Sequence, residues 1–451
     1  MGALAISTVA PMDLADLQNK LRESVSWWAV MQHLVAAWRS RPNPADDPWA
    51  GPDELFAQLG ELMCTIEDQL GVIEPGGPTE AQIELICSAL EEDSPWQVAA
   101  VAEAVDCRCH PTFCADWLAE HEAGEFTPAV GELYPVPTWQ GSKDWEYSRN
   151  PINFTLRPNE FPHIRAYDPT AGFTTPVEIV LYPTAAIELD AALATFSKLA
   201  TVHPNREWAE LSMTDGGSAF PVGPTPENQL AVIQAGVDAA LDDGAQLVVV
   251  PELAVTAEHA EALREWLSDR QPHAVVVTGS YHAVVDGEPA NCAEFIVGSH
   301  GPIVHRKIVP FIDQTPGAQP SREGIVPGPR RVRVLVGSGY RFATVICKDF
   351  LDDDVRHALA RAGVNVVAVP AMSRSMDSYP AEVDGYVLDS QGAAAVANNP
   401  GERPNGSAIV PGFVFGQPRR GRTSVVQPFK LTPYVSIFTL GEDEAHCIPI
   451  E

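Results

Sequence analysis

From about residue 176 the chain alternates short, strongly apolar runs with amphipathic stretches, and this limits the folds open to it more than any other feature. "VEIVLY" (177–182), "AQLVVVPEL" (245–253), "HAVVVTGSY" (273–281), "CAEFIVG" (292–298), "RVRVLVG" (331–337), "RFATVIC" (341–347), "VNVVAVP" (364–370) and "YVSIFTL" (434–440) each read as a strand. Their continuous Val/Ile content, in place of strict polar alternation, implies sheets covered on both faces. Between them "TPENQLAVIQAGVDAALDDG" (225–244) predicts a helix, with Thr225 as cap, Pro226 in the first turn and Gly244 as the stop. A second helix is expected over 257–270. Strand alternating with helix gives an α/β layered fold.

The chain before residue 165 follows different rules. "MDLADLQNKLRESVSWWAVMQHLVAAWRS" places Leu14, Leu17, Leu21, Val25, Trp28, Met31 and Val35 at helical spacing, and "PDELFAQLGELMCTIEDQLG" and "TEAQIELICSALEEDSPWQVAAVAEAV" repeat the pattern. Residues 1–165 therefore predict a helical N-terminal domain, ending in a Pro-rich stretch (133–162) that reads as linker or wrapping arm. Residues 176–451 form the second domain. A length of 451 residues agrees with two domains.

Charge and cysteine usage exclude several roles. The formal net charge is −31, and residues 1–175 hold 27 acidic against 9 basic residues. Such a surface repels nucleic acid and anionic membrane. The basic runs "GPRRVR" (328–333) and "PRRGR" (418–422) read as solvated surface. No apolar run approaches the length of a spanning helix, no signal peptide opens the chain, and Ile6 stands where myristoylation wants Ser or Thr. The expectation is a cytoplasmic protein whose eight cysteines stay reduced.

One of those thiols sits where a strand runs into charge. Cys347 follows Ala343, Thr344, Val345 and Ile346 and precedes Lys348 and Asp349. Glu252 closes "LVVVPEL" and Lys307 lies at the edge of "GPIVHRKIVPF", so three chemically distinct groups each end a strand. Functional groups of α/β sheets collect at strand ends, so the three can converge. Burial would raise the carboxylate's pKa while Lys307 and Lys348 favour the thiolate, which brings acid and base together. Glu252 then serves as base, Cys347 as nucleophile, and Lys307 with the Lys348 backbone N–H as oxyanion donors.

"VVVPEL", "HRKIVPF" and "VICKDF", in that order, resemble the three signature segments of the nitrilase, or carbon–nitrogen hydrolase, superfamily. Asn291 before a strand, "REGIVPG", "GVNVVAVPA", "AVANNPG" (395–401) and "NGSAIVPG" (405–412) extend the resemblance over about 176–440. It implies a four-layer αββα sandwich and a Glu252–Lys307–Cys347 triad forming a covalent acyl-type intermediate. It also implies cleavage of a non-peptide C–N bond in a small amide or nitrile, a homo-oligomer, and no cofactor or metal. Glu323 is the candidate for the further active-site glutamate common in the family. Lys348, where the family usually has an aromatic residue, is a second auxiliary candidate. The stretch 183–224 and the polar loop "AMSRSMDSYPAEVDGY" (371–386) also depart from the family pattern.

Alone, each of these residues is ordinary: a strand-end cysteine is usually core, and a lone Glu or Lys usually surface. Asp349 and Arg356 read as a structural pair, and His357 as a helix-surface residue. Cys107, Cys109, His110 and Cys114 gather soft ligands, but C-x-C-H-x3-C is not a structural zinc spacing. They read as packing residues at a turn where Pro111 separates two helices. Two other functions stay open beside hydrolysis. The sandwich is alternatively a binding or signalling module regulated by residues 1–165, with a protein partner there, or an acyl or amide-nitrogen transferase.

Overall fold

The computed structural model describes residues 12–40, 53–73, 76–91, 94–121, 124–137, 163–169, 173–206, 210–213, 221–270, 273–298, 300–313, 321–373, 376–390, 392–399, 401–402, 408–409, 412–417, 424–427 and 433–450. Ile6, most of the Pro-rich stretch and the basic run 418–422 lie outside them. The chain divides into two compact units. The first holds the helices up to residue 121 with strands Leu133–Pro135 and Ile164–Ala166, and the second holds residues 124–127 and 173–450.

In the first unit, the helical period read from Leu14 to Val35 falls on two helices, Leu14–Arg22 and Trp27–Ser40. Asp13 caps the first, and Ser26 Oγ accepts from the Ala29 N–H at the start of the second. The chain between them turns Val25 outward, 84% exposed, while Trp27 and Trp28 are fully buried. The Leu14–Val35 stripe is therefore broken at Val25. Gly77, in the left-handed region at φ +92°, lets another segment approach this break, since a Cβ there would lie 2.3 Å from the Val25 carbonyl oxygen.

Pro111 does not separate two helices; it lies inside one, Pro95–Glu120. A proline removes the hydrogen bond to the carbonyl four residues back, here Cys107. His110 Nδ1 takes up that carbonyl at 3.0 Å, which replaces the lost donor. The His110 ring stacks on His163 at 3.7 Å, and His163 Nδ1 bonds the buried Asp106 carboxylate at 2.9 Å, fastening strand Ile164–Ala166 to the helix. Cys109 and Cys114 are buried on the same helix. Among the described residues no group of His, Cys, Asp or Glu is arranged to hold a metal, and no helix is long and apolar enough to cross a membrane.

The second unit is mixed α/β, built on two seven-stranded sheets. One runs, in spatial order, His300–Arg306, Glu288–Val297, Val275–Val285, Leu247–Val249, Lys198–His203, Tyr434–Thr439 and His446–Pro449. The other runs Ser424–Gln427, Gly412–Gly416, Ala393–Asn398, Val366–Ala371, Arg341–Thr344, Arg331–Val336 and Glu178–Tyr182. In each sheet the central strands are parallel.

The period of two along the strands sorts the core. Leu199, Leu247, Val249, Val275, Val277 and Phe295 of the first sheet share one buried cluster with Leu335, Phe342, Val366, Ala368, Ala395 and Phe415 of the second. Their neighbours Ala200, Val248, Val250, Val276 and Ile296 face the other way, onto Ile233 and Val237 of helix Gln229–Asp242 and Leu263 and Leu267 of helix Ala257–Arg270. Helix Gln229–Asp242 begins later than Thr225 would have it; Thr225 instead bonds the Glu210 carbonyl through its backbone. The run 328–333 is paired within the unit: Arg330 with Asp352 and Asp354, Arg331 with Glu178. Arg356 pairs with Asp353 and Glu382, not with Asp349.

Helix Tyr379–Ser390 packs on strand Gly412–Gly416 so closely that a Cβ on Gly416 would lie 2.4 Å from Val383 Cγ1 and 2.9 Å from Val387 Cγ1. Valine is stiff at χ1 and cannot swing away. Gly416→Ala is expected to destabilise the protein by about 1–3 kcal/mol through overpacking, read as a lower urea midpoint with an unchanged slope.

Candidate active site

Three of the sequence-marked residues stand just beyond strand ends. Glu252 follows Leu247–Val249, Lys307 follows His300–Arg306 directly, and Cys347 follows Arg341–Thr344. All three are buried, at 1%, 1% and 3% exposure, and the fold brings them together.

Lys307 is the hub. Its Nζ lies 2.6 Å from Glu252 Oε1 and 2.7 Å from Glu323 Oε2. Asn291, inside strand Glu288–Val297, donates through Nδ2 to both carboxylates, at 2.9 and 2.8 Å. Glu323 also accepts the Phe311 N–H and faces His282 Nε2 at 3.4 Å. Burial opposes the charge on Lys307, yet Glu252 and Glu323 together hold its pKa well above the ordinary lysine value. Burial likewise opposes ionisation of Glu323, but Lys307 and His282 outweigh it and pull the carboxyl down to about 2. Glu252 goes the other way. Desolvation raises it, Lys307 only partly offsets that, and the fixed charge of Glu323 adds to the rise.

Two backbone turns aim the groups. Leu253 (φ +56°) and Cys347 (φ +48°) both occupy the left-handed region, which non-glycine residues rarely enter and which the surroundings must enforce. At the first turn, Asn399 Nδ2 bonds the Glu252 carbonyl, Gln229 Nε2 bonds the Ala254 carbonyl, and Ser280 Oγ accepts the Leu253 N–H. At the second, the buried Asp349 carboxylate accepts the N–H groups of Ile346, Ile308 and Val309 and bonds His305 Nε2 at 2.9 Å. Asp349 thus ties the cysteine turn to the residues after Lys307.

The Cys347 thiol is pushed up to about 12, first by burial and then by the Glu252 charge, against the lowering effect of Lys307, the Tyr379 hydroxyl and the Met372 N–H. This reverses the expectation of a resting thiolate. Lys348, expected to assist it, is exposed, and it is not among those influences. Sequence reasoning also passed over Tyr379, whose hydroxyl lies 3.4 Å from Cys347 Sγ. It lies within the polar segment 371–386, and nothing in the sequence marks it as facing Cys347.

No protein-family model and no curated protein matches the chain. Among solved structures, an amidase from Nesterenkonia sp. aligns at 20% identity with a TM-score of 0.40, covering 55% of this chain and 90% of that one. A variant of the Nesterenkonia sp. AN1 amidase with acrylamide added at its active-site cysteine aligns at 20% identity and TM-score 0.40, covering 53% and 91%. A cysteine-to-alanine variant of that amidase in complex with butyramide aligns at 19% and 0.39, covering 55% and 91%. Likeness of this degree carries no argument about chemistry.

Replacing Lys307 by Met leaves two carboxylates buried without their cation, and a loss of about 3–5 kcal/mol at neutral pH is expected. Without Lys307 the main influence opposing desolvation at Glu252 is gone, so its folded-state pKa, already raised, rises further. A carboxyl whose folded pKa is raised stabilises the fold most at low pH and loses that contribution as pH rises. Urea melts should therefore show the Lys307→Met deficit shrinking from pH 7 to pH 5. A deficit that grows over that interval would show the carboxylates are not in contact with Lys307.

Proposed function

We propose that this protein is a thiol-dependent hydrolase of a non-peptide C–N bond, in an amide or a nitrile, built on a nitrilase-type αββα sandwich. The observation that carries the reading is a buried cysteine on a strained turn beside a carboxylate of raised pKa, with an ammonium within 2.6 Å of that carboxylate. A structural ion pair needs neither the strained thiol nor a second carboxylate shared with the same lysine.

The steps follow from the protonation states. Glu252 removes the Cys347 proton as Sγ attacks the substrate carbonyl carbon, so no free thiolate has to persist in the buried site. The oxyanion that forms is stabilised by the Lys307 ammonium and the Lys348 backbone N–H. Protonated Glu252 passes the proton to the leaving nitrogen, the C–N bond breaks, and a Cys347 thioester remains. Glu252, again a carboxylate, takes a proton from water as the oxygen attacks the thioester; the C–S bond breaks, Glu252 returns the proton to Sγ, and the acid leaves with Cys347 again a thiol. Glu323, held down near pH 2, stays anionic throughout; it keeps Lys307 charged and takes no proton. Transfer to an amine differs only in the last nucleophile.

Incubation with a panel of small aliphatic and aromatic amides, followed by intact-mass and peptide mapping, tests the proposal. Cys347→Ala should abolish turnover and any covalent adduct. Glu252→Gln should lose turnover at least about 1,000-fold, since base and acid roles are removed together, and any slow acylation should accumulate on Cys347. Turnover persisting in Cys347→Ala would overturn the covalent mechanism.

A further inference from the structure

We propose that Tyr379 is a catalytic residue of this site: its hydroxyl donates to Cys347 Sγ and stabilises the thiolate that develops as the proton leaves for Glu252. This rests on the reading of Cys347 as nucleophile and adds a group outside the Glu252–Lys307–Cys347 set.

The geometry carries the argument. Tyr379 opens helix Tyr379–Ser390, is fully buried, and places its oxygen 3.4 Å from Sγ. Among the described residues the sulfur is the hydroxyl's one hydrogen-bond partner. A buried phenol normally bonds a carbonyl or carboxylate, as Tyr386 on the same helix bonds the Val364 carbonyl at 2.6 Å. Tyr379 forgoes such an oxygen and faces a thiol, a weak acceptor when protonated and a strong one when ionised. Its bond therefore tightens only as charge develops on sulfur, which is the condition for lowering a barrier.

The position of the ring is enforced. The Tyr379 N–H bonds the Met376 carbonyl, starting the helix at the residue that carries the phenol. The Met372 backbone N–H, just after strand Val366–Ala371, also lowers the thiol. Two donors from consecutive elements thus converge on one sulfur. Burial holds the Tyr379 phenol far above its usual range, so it keeps its own proton and acts only as a donor. The Cys347 proton goes to Glu252.

The test is alkylation of Cys347 by iodoacetamide, which needs no knowledge of the natural substrate. The Glu252 carboxylate takes the thiol proton, the sulfur lone pair displaces iodide, and one S–C bond forms for each C–I bond broken. In the full-length chain, labelling of Cys347 is followed by peptide mapping from about pH 6 to 9, with the exposed Cys64 and Cys447 as internal references. Tyr379→Phe, which removes only the hydroxyl, should slow Cys347 labelling about tenfold at every pH, as loss of a hydrogen bond to a charged group does. The references should be unchanged. Any loosening of the fold would expose the buried thiol and speed its labelling, so the expected sign separates the two effects. Equal or faster labelling in Tyr379→Phe overturns the role of Tyr379 and leaves Cys347 as nucleophile. A native chain whose Cys347 never reacts while Cys447 does overturns both.

Discussion

A single ammonium group, buried to 1% exposure, organises the second unit's strand ends. Lys307 is tolerable there only because two carboxylates lie within 2.7 Å, and those carboxylates are tolerable only because of Lys307. The arrangement leaves one negative charge in excess when both carboxylates are ionised. That excess falls unequally. Glu323 has the Phe311 N–H and His282 besides Lys307 and is held low, whereas Glu252 is pushed upward by desolvation and by Glu323. Two chemically identical side chains thereby acquire different roles, one a fixed counter-ion and the other a group able to exchange protons.

Cys347 is then governed by the same buried charge. Its thiol stays protonated at rest because burial and Glu252 outweigh Lys307. A latent thiol suits a buried position, where a permanent thiolate would require further donors. Asp349 makes the geometry rigid: one carboxylate gathers three N–H groups from the cysteine turn and from the two residues after Lys307. Displacing Asp349 would loosen the cysteine turn from the residues after Lys307, so its contribution is to the relative placement of thiol and ammonium.

Much of this was legible in the sequence, for reasons that can be named. Apolar Val/Ile runs marked most strands of the second unit, and Glu252, Lys307 and Cys347 were picked out as chemically distinct residues at strand ends, which the fold brings together. Other features were illegible because tertiary context decides them. "AAAVAN" (393–398) has the composition of a helix and becomes a fully buried strand between Val366–Ala371 and Gly412–Gly416. Pro111 reads as a breaker until His110 is seen to occupy the carbonyl it frees. Val25 fits the helical period but lies in the turn between two helices. The thiol's ionisation also could not be read from neighbours in the chain: Lys348 is adjacent in sequence and exposed, while Glu252 and Tyr379 are distant in sequence and act on the sulfur.

The central claim is that Cys347 rests as a thiol and gives up its proton only to Glu252 during attack. Ultraviolet thiolate absorbance, titrated in the native protein against Cys347→Ala, measures that state directly. The account predicts no excess thiolate absorbance in the native chain at neutral pH, with ionisation of Cys347 appearing only as pH approaches about 12. A full equivalent of thiolate at neutral pH, lost in Cys347→Ala, would contradict it.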